Sequence, residues 1–273
     1  MLFALPVTVG VLSGLGFEEK VRRQTLYHHR CTLCNRMLRR DINRLADPDD
    51  WVLDLGTKHG DKAIHIDAKV VAVDIELKPT HDGLEYVLAD GFQLPFRTGA
   101  FDYISCSQVF EHIPDTEAFV AEISRVLKPE GVAMIDFPNR LFPDKPHTPP
   151  GYFSLLPRPL AIRLAPYLLE PDVADYYKNH VYNLSPIGAR KALTKHFGSI
   201  EYVTLREKAE YRAVFLGEQP DPVYTPGKGA KVFAKMFPLI TLLTRFPPVG
   251  WLFELFYPHA AYECRRPKRQ RDR

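Results

Sequence analysis

The chain has 273 residues, of which 45% are hydrophobic and 25% charged, with a formal net charge of +3. That balance belongs to a folded globular protein and excludes disorder over the body of the chain. The length suits one α/β domain with insertions. Six basic residues and one acid crowd the last nine positions, Arg265 to Arg273, so the remainder is slightly acidic and is not built as a nucleic-acid binder.

Residues 1–17 (MLFALPVTVGVLSGLGF) carry no charge. They lack the positive start of a secretory signal, and Pro6, Gly10, Gly14 and Gly16 weaken them as a spanning helix, so they read as a buried or membrane-surface segment. Residues 18–46 read as a charged helix that stops before Pro48. Within it, Cys31 and Cys34 follow His28 and His29 in a single CTLC. No second pair follows at useful spacing, which favours two free thiols, and no metal site is expected.

Five short apolar runs then follow: WVLDLG from Trp51, VVAVDI at 70–75, EYVLAD at 85–90, FDYISCS at 101–107 and GVAMIDF at 131–137. Such runs are the pattern of parallel strands covered on both faces. Between the fourth and fifth, Phe119, Val120, Ile123, Val126 and Leu127 recur at helical spacing, with Pro129 and Gly131 marking the exit. Strand, helix, strand in this order implies a right-handed crossover and a parallel sheet.

Residues 138–186 change texture, rich in proline and aromatics, and read as an insertion. Ser185 and Pro186 predict a helix start. IEYVTLRE (200–207) and YRAVFLG (211–217) read as a closing antiparallel hairpin. The expected organisation is an N-terminal apolar and helical segment 1–46, an α/β domain 47–217 with insertion 140–184, and an apolar extension with a basic tail over 218–273.

Ligands of open α/β sheets bind at the carboxyl ends of the strands. The first strand ends in DLGTKHG, Asp54 to Gly60, where glycines permit a sharp turn and close approach. Asp74 ends the second strand, where an acid can accept from ribose hydroxyls. ADGFQLPF, FDYISCSQVFEHIPD and RVLKPEG complete a set that resembles the class I methyltransferases, specifically the type 11 subgroup, from about Val52 to Asn139. The resemblance implies a Rossmann-like fold and S-adenosylmethionine as cofactor. It implies Asp54, Gly56 and Gly60 around the methionine half, Asp74 on the ribose, and Asp90, Gly91 and Phe92 around the adenine. It places Ser107 and Gln108 beside the sulfonium. Lys58 stands where the family has a glycine, and either crowds the cofactor or pairs with its carboxylate. The span from Asp74 to Asp90 leaves little room for the usual helix.

Methyl transfer is an in-line displacement that depends on positioning, and a hydroxyl acceptor gains from a general base. Histidine suits that role near neutral pH. His112 in FEHIPD, His147 in KPHTPP and His180 in YKNHVYN are the three candidates, while Glu111 reads as a surface acid. SQVFEH after the fourth strand is not the sequence expected of nucleic-acid amino methylation. The insertion is similar to type 11 enzymes of polysaccharide or glycolipid biosynthesis, which implies O-methylation of a glycan or lipid-linked acceptor. A small soluble metabolite or quinone, or binding without catalysis on the same fold, are the alternatives. The apolar stretch 231–259, with Trp251, Phe253 and Phe256, and the basic tail suit an anionic membrane surface, or a packed cap. The expected setting is cytoplasmic, peripheral to the membrane.

Overall fold

The computed structural model describes residues 40–79, 81–141, 155–169, 171–182, 184–210, 212–218, 228–257 and 259–268. The segment 1–17, the CTLC pair, His147 and the tail beyond Lys268 lie outside them. The described residues fall into two compact units. One comprises 40–137, 187–207 and 260–268; the other comprises 138–186 and 208–259.

The first unit is a seven-stranded sheet. Its strands are β1 (Trp51–Leu55), β2 (Lys69–Asp74), β3 (Glu85–Leu88), β4 (Phe101–Ser107), β5 (Leu127–Pro138), β6 (Phe197–Tyr202) and β7 (His259–Pro267). Their order is β3-β2-β1-β4-β5-β7-β6, with β1 to β5 parallel and β6 antiparallel to β7. The Rossmann-like parallel sheet with a C-terminal antiparallel pair is therefore present. Val52, Leu53, Val70, Val71, Ala72 and Val73 are all buried, as strands covered on both faces require.

The antiparallel pair is not made from the stretch expected. Residues 204–210 and 212–216 are helical, and the partner of β6 is 259–267. The extension thus supplies a strand of the sheet. Ala260, Ala261, Tyr262 and Cys264 are buried there, and Arg265 donates to Glu263 at 2.6 Å. Lys268 closes the edge through its amide to the His196 carbonyl and its ammonium to the Thr194 carbonyl. Arg265 and Lys268 therefore serve the sheet and are not part of a loose basic tail.

Helix α1 (Thr116–Val126) connects β4 to β5. Asp115 caps it by accepting from the Ala118 amide at 3.0 Å. Phe119, Val120, Ile123 and Val126 are buried along one stripe, worth about 1.5–3 kcal/mol each. Helix α1 runs directly into β5, whose pairing with β4 shifts register between Phe101 and Tyr103. Among the described residues, the connections before β4 contain no α-helix. The β1–β2 link has only a 3₁₀ turn (Ala63–His65), and 75–84 has none, as the short span predicts. A cavity of about 330 Å³, lined by Trp51, Ile64, Val70 and Leu84 among others, opens at the amino ends of β1 to β3.

The helix expected after Ser185 is α4 (Pro186–His196), tied to α1 by Ser124 Oγ donating to the His196 carbonyl at 3.1 Å. The second unit holds the insertion helices α2 (Arg158–Leu168) and α3 (Pro171–His180). They share a core of Ala161, Ala165, Ala174, Tyr177 and Val181. Arg158 donates to the Lys178 carbonyl at 2.7 Å and lies over the Tyr182 ring. After α5 (Thr204–Glu210) and α6 (Arg212–Leu216) come α7 (Lys228–Leu243) and α8 (Pro247–Phe256). Buried Asn139 donates to the Leu255 and Tyr257 carbonyls at 2.7 and 2.8 Å, satisfying acceptors that a helix end leaves open.

Candidate active site

The strand order reverses direction between β1 and β4, and the crevice beyond their carboxyl ends is where a ligand fits. The ten residues assigned to the cofactor all lie at the carboxyl ends of β1 to β4 or in the loops just after them. Asp54 is buried in β1. Gly56, Lys58 and Gly60 form the following loop, which the Gly56 and Thr57 amides anchor to the Val73 carbonyl. Gly56 has φ +83°, and a Cβ there would collide with Val109. A glycine is thus required at 56 by Val109 as well as by the turn. Gly91 likewise yields its space to the Phe119 ring.

Asp74 receives two backbone amides, Lys58 N–H on Oδ2 at 2.8 Å and Glu76 N–H on Oδ1 at 3.0 Å. It therefore organises both loops, with lone pairs left to accept from a ligand. Lys58 itself sits at φ +54°, a left-handed conformation that suits glycine. Lys58→Gly should relieve strain of about 1 kcal/mol and raise the melting temperature. If the ammonium also meets the cofactor carboxylate, the same variant binds S-adenosylmethionine more weakly and with less salt dependence. Calorimetric titration at two salt concentrations, beside a thermal melt, reads both effects.

Asp90 lies two residues past the end of β3 and caps its own turn by accepting from the Phe92 amide at 2.9 Å. Phe92 meets Phe119 edge to face, beginning an aromatic row that continues through Phe110, Phe137 and Tyr262. The loop after Phe92 is held by Arg125 of α1, which donates to the Leu94 and Phe96 carbonyls and to Glu122. Ser107 is buried at the end of β4, and its carbonyl accepts from Lys62 Nζ at 3.0 Å. Gln108 follows at φ +59°. Two bonds to Asp136 hold it there: its amide to the carbonyl at 3.0 Å and its side chain to Oδ2 at 2.8 Å. Left-handed backbone at a non-glycine is strain that such contacts must hold in place.

Glu111 departs from the surface position expected of it. It is not a surface acid: it is 3% exposed, on the 3₁₀ turn Phe110–His112, and burial raises its pKa above the ordinary glutamate range. Its Oε1 lies 3.9 Å from His112 Nε2. Both Glu111 oxygens and the buried Thr57 hydroxyl find no hydrogen-bond partner among the described residues. Buried polar atoms without a protein partner call for water, a ligand or a catalytic role to account for them. Nothing in the sequence distinguishes Glu111 from an exposed acid, since burial of one turn residue depends on the sheet behind it. His180 lies at the end of α3, beside Tyr176 in the second unit. Among the described residues, no group of three or more His, Cys, Asp or Glu is placed to hold a metal ion, and no helix is long and apolar enough to cross a membrane.

Residues 53–135 match the family described as Methyltransferase domain, of type 11. Residues 53–135 thus carry the match to that methyltransferase domain, on a Rossmann-like sheet. Over 133 residues it is 32% identical to a demethylmenaquinone methyltransferase of Thermus thermophilus, covering 43% of this chain and 57% of that protein. Over 103 residues it is 28% identical to a ubiquinone biosynthesis O-methyltransferase of Xanthomonas oryzae, covering 33% and 43%. The chain spans about half the length of the curated relatives it matches. Its fold is similar to a chain from the Haloferax volcanii complex between the Trm112 methyltransferase activator and a methyltransferase. That likeness has a TM-score of 0.50 and 14% identity, and covers 90% of this chain and 94% of that one.

Proposed function

We propose that this chain transfers a methyl group from S-adenosylmethionine to a small-molecule acceptor with a quinone-type ring. The observation that carries the transfer is the buried Glu111 beside His112, at the carboxyl ends of the strands where the cofactor residues gather. The choice of ring over the glycan or lipid-linked hydroxyl implied by the insertion is favoured by the relatives, which are named for menaquinone and ubiquinone biosynthesis. The proposed setting is the cytoplasm.

In this reading Asp54, Gly56, Lys58 and Gly60 receive the methionine half, Asp74 the ribose, and Asp90, Gly91 and Phe92 the adenine. Ser107 and Gln108 flank the reacting centre. When bound, the cofactor supplies an electrophilic methyl. His112 takes the acceptor proton, and the neighbouring carboxylate of Glu111 stabilises the imidazolium that results. His147 and His180 rank behind His112 because Glu111 stands beside His112. The bonds from Gln108 to Asp136 fix the floor on which the acceptor is aligned.

Asp74→Ala is expected to weaken S-adenosylmethionine at least tenfold. Hydrogen bonds to a charged acceptor contribute roughly 1.5–3 kcal/mol, and the variant also frees the Lys58 and Glu76 amides. Equal affinities by calorimetry would remove Asp74 from the site. The activity is tested by tritium-methyl transfer to a demethylated quinone precursor, with a glycolipid acceptor in parallel. Labelling of the glycolipid alone would reverse the choice of acceptor. Cofactor binding with no transfer to any acceptor in fractionated cell extract would favour a non-catalytic binding protein.

A further inference from the structure

Helix α7 presents Val232, Met236, Leu239 and Leu243 to solvent, and the turn and helix that follow add Phe246 and Trp251. The spacing is three and four residues, one stripe of a helix. The opposite face is packed, with Ala234 and Phe237 buried. Exposure is large for such side chains: 53% at Leu239, 62% at Phe246 and 53% at Trp251. Monomeric proteins rarely leave so continuous an apolar surface open without a partner.

The charges say which partner. Residues 228–257 contain four basic residues and a single acid, Glu254, which is buried. Lys231, Lys235 and Arg245 are exposed around the stripe. Two copies meeting face to face would set cations against cations, so self-association is disfavoured. An apolar stripe with an all-cationic exposed rim and a tryptophan matches the headgroup layer of an anionic bilayer, with the helix lying in its plane. We infer that the α7–α8 face docks on an anionic lipid surface. This inference goes beyond the methyl-transfer reading and does not depend on it.

The chain has two tryptophans, so Trp51→Phe leaves Trp251 as a fluorescent reporter. The full chain is mixed with vesicles of phosphatidylglycerol and phosphatidylcholine in equal parts, or of phosphatidylcholine alone. The expected result is a blue shift of Trp251 emission and pelleting with the anionic vesicles, both weakened by salt. Lys235→Ser should reduce partitioning about fivefold, and Leu239→Ser should reduce the salt-resistant remainder. Both positions are exposed, and retained S-adenosylmethionine binding shows that the variants fold. No blue shift and no pelleting with either vesicle would overturn the inference. So would a concentration-dependent dimer that Trp251→Ser dissolves while vesicle binding is absent.

Discussion

His112→Ala is expected to lower turnover by about 10²–10⁴-fold while S-adenosylmethionine affinity stays unchanged. The imidazole follows the cofactor loop after β4, yet it is not among the residues assigned to the cofactor, so its loss should fall on turnover alone. Glu111→Gln separates a base from a structural histidine. It leaves the imidazole in place and removes the carboxylate 3.9 Å from Nε2. Turnover should fall, because the imidazolium formed on proton transfer loses its stabilising charge. Stability should move the other way. Burial raises the Glu111 pKa, so the folded state holds a proton that the unfolded chain releases as pH passes the ordinary glutamate value. Stability therefore declines through the interval up to the raised pKa, and Glu111→Gln escapes that decline. Melts and pH–rate profiles of both variants test the pair. Full activity in His112→Ala would shift the role to His147 or His180, or to positioning alone.

Tyr262→Ala should cost about 3–5 kcal/mol, the range for removing a large buried aromatic. Tyr262 is fully buried, stacks on Phe137, meets Tyr202 edge to face and lies under the Arg190 guanidinium. It belongs to β7, between β5 and β6, so the cavity would open inside the sheet. The measurement is the denaturation midpoint of the variant against the parent. A loss below about 1 kcal/mol would mean that the strand is peripheral. Removing residues 265–273 as a supposed tail would cut into the same strand and report on folding, not on membrane affinity.

The parallel core was legible because each of its strands is a short apolar run bounded by turn residues, and α1 because its stripe and its exit signals agree. The antiparallel pair was legible as a kind and not as a partner. YRAVFLG alternates well enough to suggest a strand, whereas HAAYECRRP ends among basic residues that disguise it. Only the sheet shows that Glu263 answers Arg265 and Arg206. The cofactor positions were legible from acids and glycines at strand ends. Their supports were not: Val109 over Gly56, Asp136 under Gln108 and Arg125 around the Phe92–Phe96 loop are contacts between segments far apart in sequence. The lysine at 58 was visible, but its left-handed backbone and its bond to Asp74 were not.

The place of β7 also bears on how the molecule is made. A strand from 259–267 separates β5, which ends at Pro138, from β6, which ends at Tyr202. While synthesis has passed Tyr202 but not Pro267, β6 has no neighbour through which to join the sheet, and the outer side of β5 stays an open edge. Unpaired edges of this kind invite pairing with other chains. The sheet closes through contacts of long sequence separation, which form slowly. The nascent chain is thus most exposed to misassociation in that interval, and anything that shields the edge of β5 during it, such as a chaperone, would act on yield without touching the finished protein.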